Sequence, residues 1–498
     1  MRRTSVIIVG AGPVGLMLAG ELRLGGVDVV VHEKRLTRSA ESRGVGFTAR
    51  ATELFHQRGL LDRLGDVETS RQGHFGGIPL DFGVLPGSHF GVRGVSQPRI
   101  EQMLEEWATE LGATVVRGSE LTELRSDDDG VTVVVDGPDG TQEWRADYLV
   151  GCDGGHSSVR RMAGFDFPGS DATREMYLAD VRGAHVRPRP IGERVPGGMV
   201  MSGPLGDDVD RIIVCPTGAP PPGPERQAGF AEVASAWERL TGESIAEGQV
   251  RWVSTFTDAT RQAGEYRRGR VLLAGDAAHI HLPAGGQGLS LGVQDAANLG
   301  WKLAATVRGW APKGLLDTYH AERHPVGERV LRNTLAQGTL YLSGTEIEPL
   351  REIAAELWSI SDVGRHLSGM VSGLDIRYDF GITGAHPLVG RRLPDASLTL
   401  LDGRRTTLAE LLRPARAALI TAPGGVGADR AGGWADRVPV ITVTAFPDLG
   451  VDRPTDAVLV RPDGYVAWAA PGRGDVTAVL RRWFGAVRQA TPVPVAGS

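Results

Sequence analysis

The chain has 498 residues, 41% hydrophobic and 23% charged, with a formal net charge of -6. Such a composition fits a globular protein too long for one ordinary core, so about two to four domains are expected, and the small net charge gives no broad electrostatic reason to bind nucleic acid or an anionic membrane. The 69 glycines follow no collagen-like period, and the 2 cysteines, far apart in sequence, form neither a disulfide framework nor a zinc pattern, which makes a reducing cytoplasm the expected location.

The chain opens almost directly on a strand, "TSVIIVG", with no secretory h-region before it. Residues 5–9 are continuously apolar and rich in β-branched side chains, as expected of a parallel strand covered on both faces. They run into Gly10-Ala-Gly12-Pro13-Val-Gly15 and then a helical pattern in which Val14, Leu18 and Leu22 share a face. A second strand, "DVVVHEK", reaches Glu33 and Lys34. Strand, glycine turn, helix and strand make one βαβ unit. In it the first glycine permits a tight turn, the second lets backbone approach a pyrophosphate, and the third lets helix and strand pack closely. The phosphates would sit at the helix N-terminus, where unpaired amides and the dipole favour anions, while Glu33 accepts bonds from a ribose diol. A merely structural glycine turn is the bland alternative. The complete context favours dinucleotide binding by Gly10, Gly12, Pro13, Gly15, Glu33 and Lys34.

Residues 70–95 mix glycine with aromatics, and "RIEQMLEEWATELG" follows as a helix with Ile100, Leu104, Trp107 and Leu111 at helical spacing. Alternating segments around Asp-Gly turns predict a short antiparallel meander. It ends in the apolar strand "YLVGC" and Asp153-Gly154. Residues 176–265, with alternating runs, a proline cluster at 220–222 and one helix near "FAEVASAWERL", read as a β-rich insert, because they interrupt an α/β pattern that "GRVLLAGD" resumes. Beyond Gly275-Asp276 comes a loop through Pro283, Gly285, Gly286 and Gly288, and then a helix from about Ser290. Helical patterns dominate 311–372, and a compact α/β tail follows. No stretch reaches the roughly 20 apolar residues of a membrane span.

The expected division is a first FAD-binding part at 1–175 (70–95 partly on the substrate side), a substrate-binding domain at 176–265, a second FAD-binding part with a helical segment at 266–384, and a C-terminal domain at 385–498. FAD is the dinucleotide expected, because Asp153-Gly154 and Gly275-Asp276 suit a ligand with a second, longer half held along its length. His279 and His281 could pair on a metal at i, i+2, but no third ligand has sensible spacing, so no metal is expected.

"GAGPVG", "GCDGGHSSVR" and "GRVLLAGDAAHIHLPAGGQG", in this order, resemble the class A flavoprotein monooxygenases of the p-hydroxybenzoate hydroxylase fold. "ESRGVGFTAR", "GHFGGIPLDFG", "GFDFPG", "EMYLAD" and "RPDGYVAWAAPG" make the whole chain similar to the aromatic polyketide hydroxylases of angucycline and anthracycline biosynthesis. The resemblance implies an α/β, FAD-binding Rossmann-like fold with a β-rich substrate domain and a thioredoxin-like C-terminal domain. It also implies bound FAD, NADPH as a transient reductant, and hydroxylation of a polycyclic aromatic polyketide by O2 through a flavin C4a-hydroperoxide.

Carried over residue by residue, Gly275 and Asp276 would hold the ribityl chain and Pro283 would lie near the flavin C4a. Gly286, Gly288, Leu289 and Ser290 would offer bare backbone to the ring, with helix-start amides stabilising negative charge at its pyrimidine edge. Pro283, Gly288, Leu289 and Ser290 are thus the expected catalytic positions. Arg43, Gln97, Asp153 and Gly154 would contact the FAD ribose and phosphates, with Asp153, Gly154 and Arg160 bearing on NADPH use. Family members commonly carry Asn-Thr where this chain has Ser290-Leu291, which leaves open how the pyrimidine edge is held. The insert from Met176 to Phe256 and the stretch from His74 to Phe90 are the expected substrate wall. The tail lacks any cysteine, so disulfide exchange is excluded and a structural or homodimer-contact role remains. The same fold hosts Baeyer-Villiger oxygenases and flavin reductases, and a non-catalytic, flavin-bound accessory protein is a third reading.

Overall fold

The β-branched run Val6–Val9 (β1) is buried along its whole length, and Val29–Glu33 (β2) pairs parallel to it after the helix Pro13–Leu24 (α1). The structure, a computed structural model, describes residues 1–41, 43–85, 91–218, 228–451 and 453–487. The proline cluster at 220–222 and the 86–90 end of the expected substrate wall lie outside the described residues. Ala49–Gln57 (α2) comes next, then a hairpin of Gln72–Phe75 (β3) and Ile78–Asp81 (β4), the helix Gln97–Glu110 (α3) and the strand Thr114–Arg117 (β5). The predicted meander is present as three antiparallel strands between Glu120 and Ala146. Tyr148–Gly151 (β6) then enters the central sheet, followed by the short helix Ser158–Met162 (α4).

The insert is one antiparallel sheet, built from Glu175–Arg182 (β7), Arg189–Val195 (β8), Gly198–Gly206 (β9), Val209–Pro216 (β10) and, after the helix Phe230–Thr241 (α5), Gln249–Thr257 (β11). Its order is β8-β9-β10-β7-β11. Side chains alternate across a strand, and here the alternation divides two tasks. Ile212 and Val214 pack with Trp237 of α5, whereas Ile213 and Cys215 turn to the opposite face with Met176 and Met199. That second face meets Leu282 and Ala284, which flank Pro283.

Val271–Leu273 (β12) completes a six-stranded sheet in the order β12-β6-β1-β2-β5, with Arg267–Arg268 added antiparallel at the edge. Strands β12, β6 and β1 are adjacent and parallel, so their carboxyl ends open on the same side, where the strand order reverses. Ligands of open α/β sheets bind at that position.

Gln287–Val307 (α6) packs along α1, Thr318–Leu342 (α7) packs against α6, and Ser361–Ser372 (α8) packs near the β3-β4 hairpin. The tail forms a four-stranded sheet, Val440–Thr442 (β14) beside Ala418–Thr421 (β13), then Ala457–Val460 (β15) and Val466–Ala470 (β16), with the helix Val476–Phe484 (α9) against it. One parallel and two antiparallel pairings give it the thioredoxin-like pattern expected. Its core includes Trp301 and Ala305 of α6. No described helix is long and apolar enough to cross a membrane.

Candidate active site

Three loops leave the adjacent strands β1, β6 and β12. In the first, an alanine methyl at Gly15 would overlap the Gly10 carbonyl oxygen, so helix and turn must touch there, whereas one at Gly12 would meet nothing within 4 Å. The N-terminus of α1 has no side-chain cap, with Pro13 in its first turn. Glu33 reaches back over this turn. One carboxylate oxygen accepts from the Ala11 amide at 2.9 Å and the other from the Arg35 amide at 2.9 Å. A carboxylate can accept about four bonds, so capacity for a diol remains. Lys34 is exposed beyond the strand end.

In the second loop Asp153 uses Oδ2 to accept from the amides of Ser158 and Val159 (2.7 and 3.1 Å), capping α4, while its Oδ1 is buried without a partner. An unpaired buried oxygen of that kind is rare unless something else fills its needs. Arg160 is buried. Its guanidinium donates to the carbonyls of Ala277 (2.9 Å) and Gly155 (2.7 Å) and stacks 3.7 Å over Phe167, so it ties the second loop to the third.

In the third loop Asp276 is exposed, and Arg43 lies close enough to feel its charge, with the Arg43 Nε donating to Ser254 Oγ at 3.2 Å. Gln97 begins α3 and donates to Glu101 at 2.7 Å. The loop is anchored from beneath. Asp295 of α6, fully buried, accepts from the Gly275 amide (3.2 Å), from Arg323 Nε (2.7 Å) and bonds His279 Nε2 (2.7 Å). Burial works to raise the Asp295 carboxyl, but Arg323 and His279 overcome it and hold the group below the usual carboxylate range. His279 is thereby committed to Asp295, and His281 bonds the Leu282 carbonyl through Nδ1 at 2.7 Å. No group of side chains suited to a metal occurs among the described residues.

After Pro283 the backbone makes a turn at Ala284–Gly286 in which Gly285 (φ 68°) and Gly286 (φ 64°) are successively left-handed, a conformation that strains any residue with a Cβ. A methyl at Gly286 would meet nothing within 4 Å. Helix α6 starts at Gln287, three residues earlier than expected, and has no side-chain cap, so the amides of Gly288 and Leu289 fall in its first turn. The Ser290 side chain faces away from the loop. It is 2% exposed and its hydroxyl accepts from the Thr48 amide at 2.9 Å, tying α6 to the start of α2.

These features fit FAD. Open glycine surfaces at Gly12, Gly154 and Gly286, the unpaired Asp153 oxygen and two uncapped helix N-termini supply what an extended dinucleotide with a flat ring needs. Sequence reasoning missed the His279-Asp295-Arg323 anchor. A signal was there: Asp295, Asn298 and Lys302 recur at helical spacing inside a largely apolar helix that is buried nearly all round.

A family of FAD binding domains matches residues 3–334, and a family of aromatic-ring hydroxylase C-terminal domains matches residues 386–487. The 12-dehydrotetracycline 5-monooxygenase/anhydrotetracycline 6-monooxygenase of Streptomyces rimosus is 44% identical over 97% of this chain and 99% of its own. A dialkyldecalin synthase of Streptomyces rugosporus is 41% identical over 97% of this chain and 99% of its own. The crystal structure of an aromatic hydroxylase from angucycline biosynthesis superposes with a TM-score of 0.93 at 58% identity, covering 97% of this chain and 100% of that one.

Proposed function

The chain belongs to the FAD-binding aromatic-ring hydroxylases, and on that premise we propose that it hydroxylates a polycyclic aromatic polyketide, using NADPH and O2. The observation that carries the substrate class is the apolar second face of the insert sheet. Met176, Met199, Cys215, Leu282 and Ala284 form one buried cluster spanning the sheet and the flanks of Pro283. An apolar sheet face packed against the flanks of the flavin bed suits a flat, fused-ring substrate better than a small polar one.

Bound FAD would supply the ring that accepts electrons from NADPH and activates O2. The protein's own residues bind and orient. The α1 N-terminus and Gly12 receive the pyrophosphate, and Glu33 receives a ribose, with Lys34, Arg43 and Gln97 around that half of the nucleotide. Asp153 Oδ1 and Asp276 hold the linking chain, and Gly154 keeps its path clear. Pro283, Gly286, Gly288 and Leu289 form the bed for the ring, and the first-turn amides of α6 favour negative charge beside them. Ser290 contributes through its backbone and by fixing α2 against α6. Arg160 and Asp295 act as positioning residues, one joining two FAD-facing loops and the other holding the Gly275 peptide. The wall excludes water from the reacting face.

The test is NADPH consumption by the flavin-loaded protein with a panel of polycyclic phenols under labelled O2. Acceleration with one labelled atom in a new ring hydroxyl is expected. Label in a ring-expanded lactone would instead indicate Baeyer-Villiger insertion, and turnover without label would indicate reduction. The synthase among the relatives favours a second reading, a flavin-bound protein that shapes a polyketide without oxidising it. In that case NADPH would leave the flavin oxidised even with ligand bound.

A further inference from the structure

Resting on that reading, we propose that His74 and Tyr341 are the polar recognition point of the substrate wall. His74 Nε2 accepts a hydrogen bond from a free phenolic hydroxyl of the polycycle, and Tyr341 fixes the tautomer that makes it an acceptor. Tyr341 belongs to the same buried cluster as Met199, Leu282 and Ala284, and its ring meets that of His74 edge-on at 5.6 Å and 78°. Strand β3, which carries His74, packs directly against the turn Ala284–Gly286 that would bear the flavin. The pair therefore lies where the flavin bed and the apolar wall meet.

Its position is fixed by a chain of buried amides. The Gly76 amide donates to Gln337 Oε1 (3.2 Å), Gln337 Nε2 to Asn333 Oδ1 (2.9 Å), Asn333 Nδ2 to Gln287 Oε1 (2.9 Å), and Gln287 Nε2 to the Ala284 carbonyl (3.1 Å). The hairpin holding His74 is thus tied, through α7, to the glycine turn itself.

The tautomer follows from counting protons. Tyr341 has one hydroxyl proton and donates it to the Ile191 carbonyl at 2.5 Å. Its oxygen can then only accept from the imidazole, whose nearer nitrogen is Nδ1 at 3.0 Å against 3.4 Å for Nε2. Nδ1 consequently bears the proton and Nε2 a lone pair. Burial, assisted by nearby Arg93, pushes the ring's pKa down to about 4, so it stays neutral. The neighbouring wall residues Met176, Met199, Cys215, Ile213 and Phe256 bear no strong acceptor. A phenol hydroxyl finds one in His74, whereas the matching methyl ether cannot donate and leaves the acceptor unpaired. Sites built to bond a hydroxyl reject such analogues strongly.

The experiment compares binding of 2-hydroxyanthraquinone and 2-methoxyanthraquinone to the flavin-loaded full chain, read from the flavin absorbance, with FAD content confirming each variant's fold. The wild type should prefer the phenol by about tenfold or more. His74→Ala should reduce the preference to about twofold or less. His74→Gln, whose amide can donate to Tyr341 and accept from the phenol, should retain most of it. Tyr341→Phe should weaken it by releasing the tautomer, and serves as the test if His74→Ala loses its flavin. Full preference in His74→Ala or Tyr341→Phe overturns the proposal, as does a wild type that lacks the preference or binds neither compound. Phenol-stimulated NADPH oxidation by the wild type separates the two levels. If it persists while the preference ignores His74, the hydroxylase reading stands and only the recognition point falls.

Discussion

At Gly12 the backbone has φ -78° and a Cβ would meet nothing within 4 Å, so alanine there costs the apoprotein almost nothing. Flavin-free Gly12→Ala should melt within about 0.5 kcal/mol of wild type yet bind FAD at least about tenfold more weakly, a loss of roughly 1.4 kcal/mol. Gly15→Ala is the opposite case. Its methyl would press on the Gly10 carbonyl, and the apoprotein itself should lose about 1–3 kcal/mol. Thermal melts without FAD, paired with flavin fluorescence titration, check both. This contrast also explains what the residue scale revealed in advance. Glycine turns declare themselves because strand, turn and helix are contiguous. The bond of Ser290 to Thr48 joins residues 242 positions apart, and that of His74 to Tyr341 spans 267. No local pattern marks either: His74 fell within the expected substrate wall, but nothing in the sequence set Tyr341 beside it.

Helix α6 shows how an element can be placed correctly while its function stays hidden. Its place after the glycine loop was legible, but its polar stripe meets α7 and the tail. Asn298 and Lys302 bond Glu322 (2.7 and 2.9 Å), which also pairs with Arg461 at 2.7 Å, and Arg461 in turn pairs with Asp463. Against the effect of burial, Arg461 and Lys302 hold the Glu322 carboxyl down to about 2. A carboxyl so depressed adds stability above its unfolded value near 4.5 and loses it as pH falls toward about 2. Urea unfolding should therefore weaken across that window. Glu322→Gln should flatten this acid limb and, by leaving buried cations uncompensated, cost about 3–5 kcal/mol near neutral pH. A wild type indifferent to pH from 4.5 to 2 would contradict this account of the network.

For the molecule as a whole, the order of α/β, β-rich, helical and α/β segments was readable from changes of period along the chain. The docking of the tail was not, because it depends on charges that only folding brings together. Arg58 pairs with Glu21 at 2.5 Å and donates to the carbonyls of Leu412 and Pro462, and Arg50 donates to the Asp463 carbonyl at 2.8 Å. With Trp301 and Ala305 of α6 also inside the tail's core, removing residues 386–487 would expose apolar surface and orphan buried charges. The truncated chain should aggregate and retain no flavin, as size-exclusion chromatography with absorbance detection would show. A soluble, yellow fragment would disprove the shared core. The central claim is that loops from β1, β6 and β12 close on a single FAD, and equilibrium titration with FAD of apoprotein carrying Gly12→Ala, Asp153→Asn or Asp276→Ala tests it most directly. The account predicts that wild type takes up one FAD per chain and that each substitution alone lowers the affinity. Failure of the wild type to bind FAD, or affinity unchanged by all three substitutions, would contradict it.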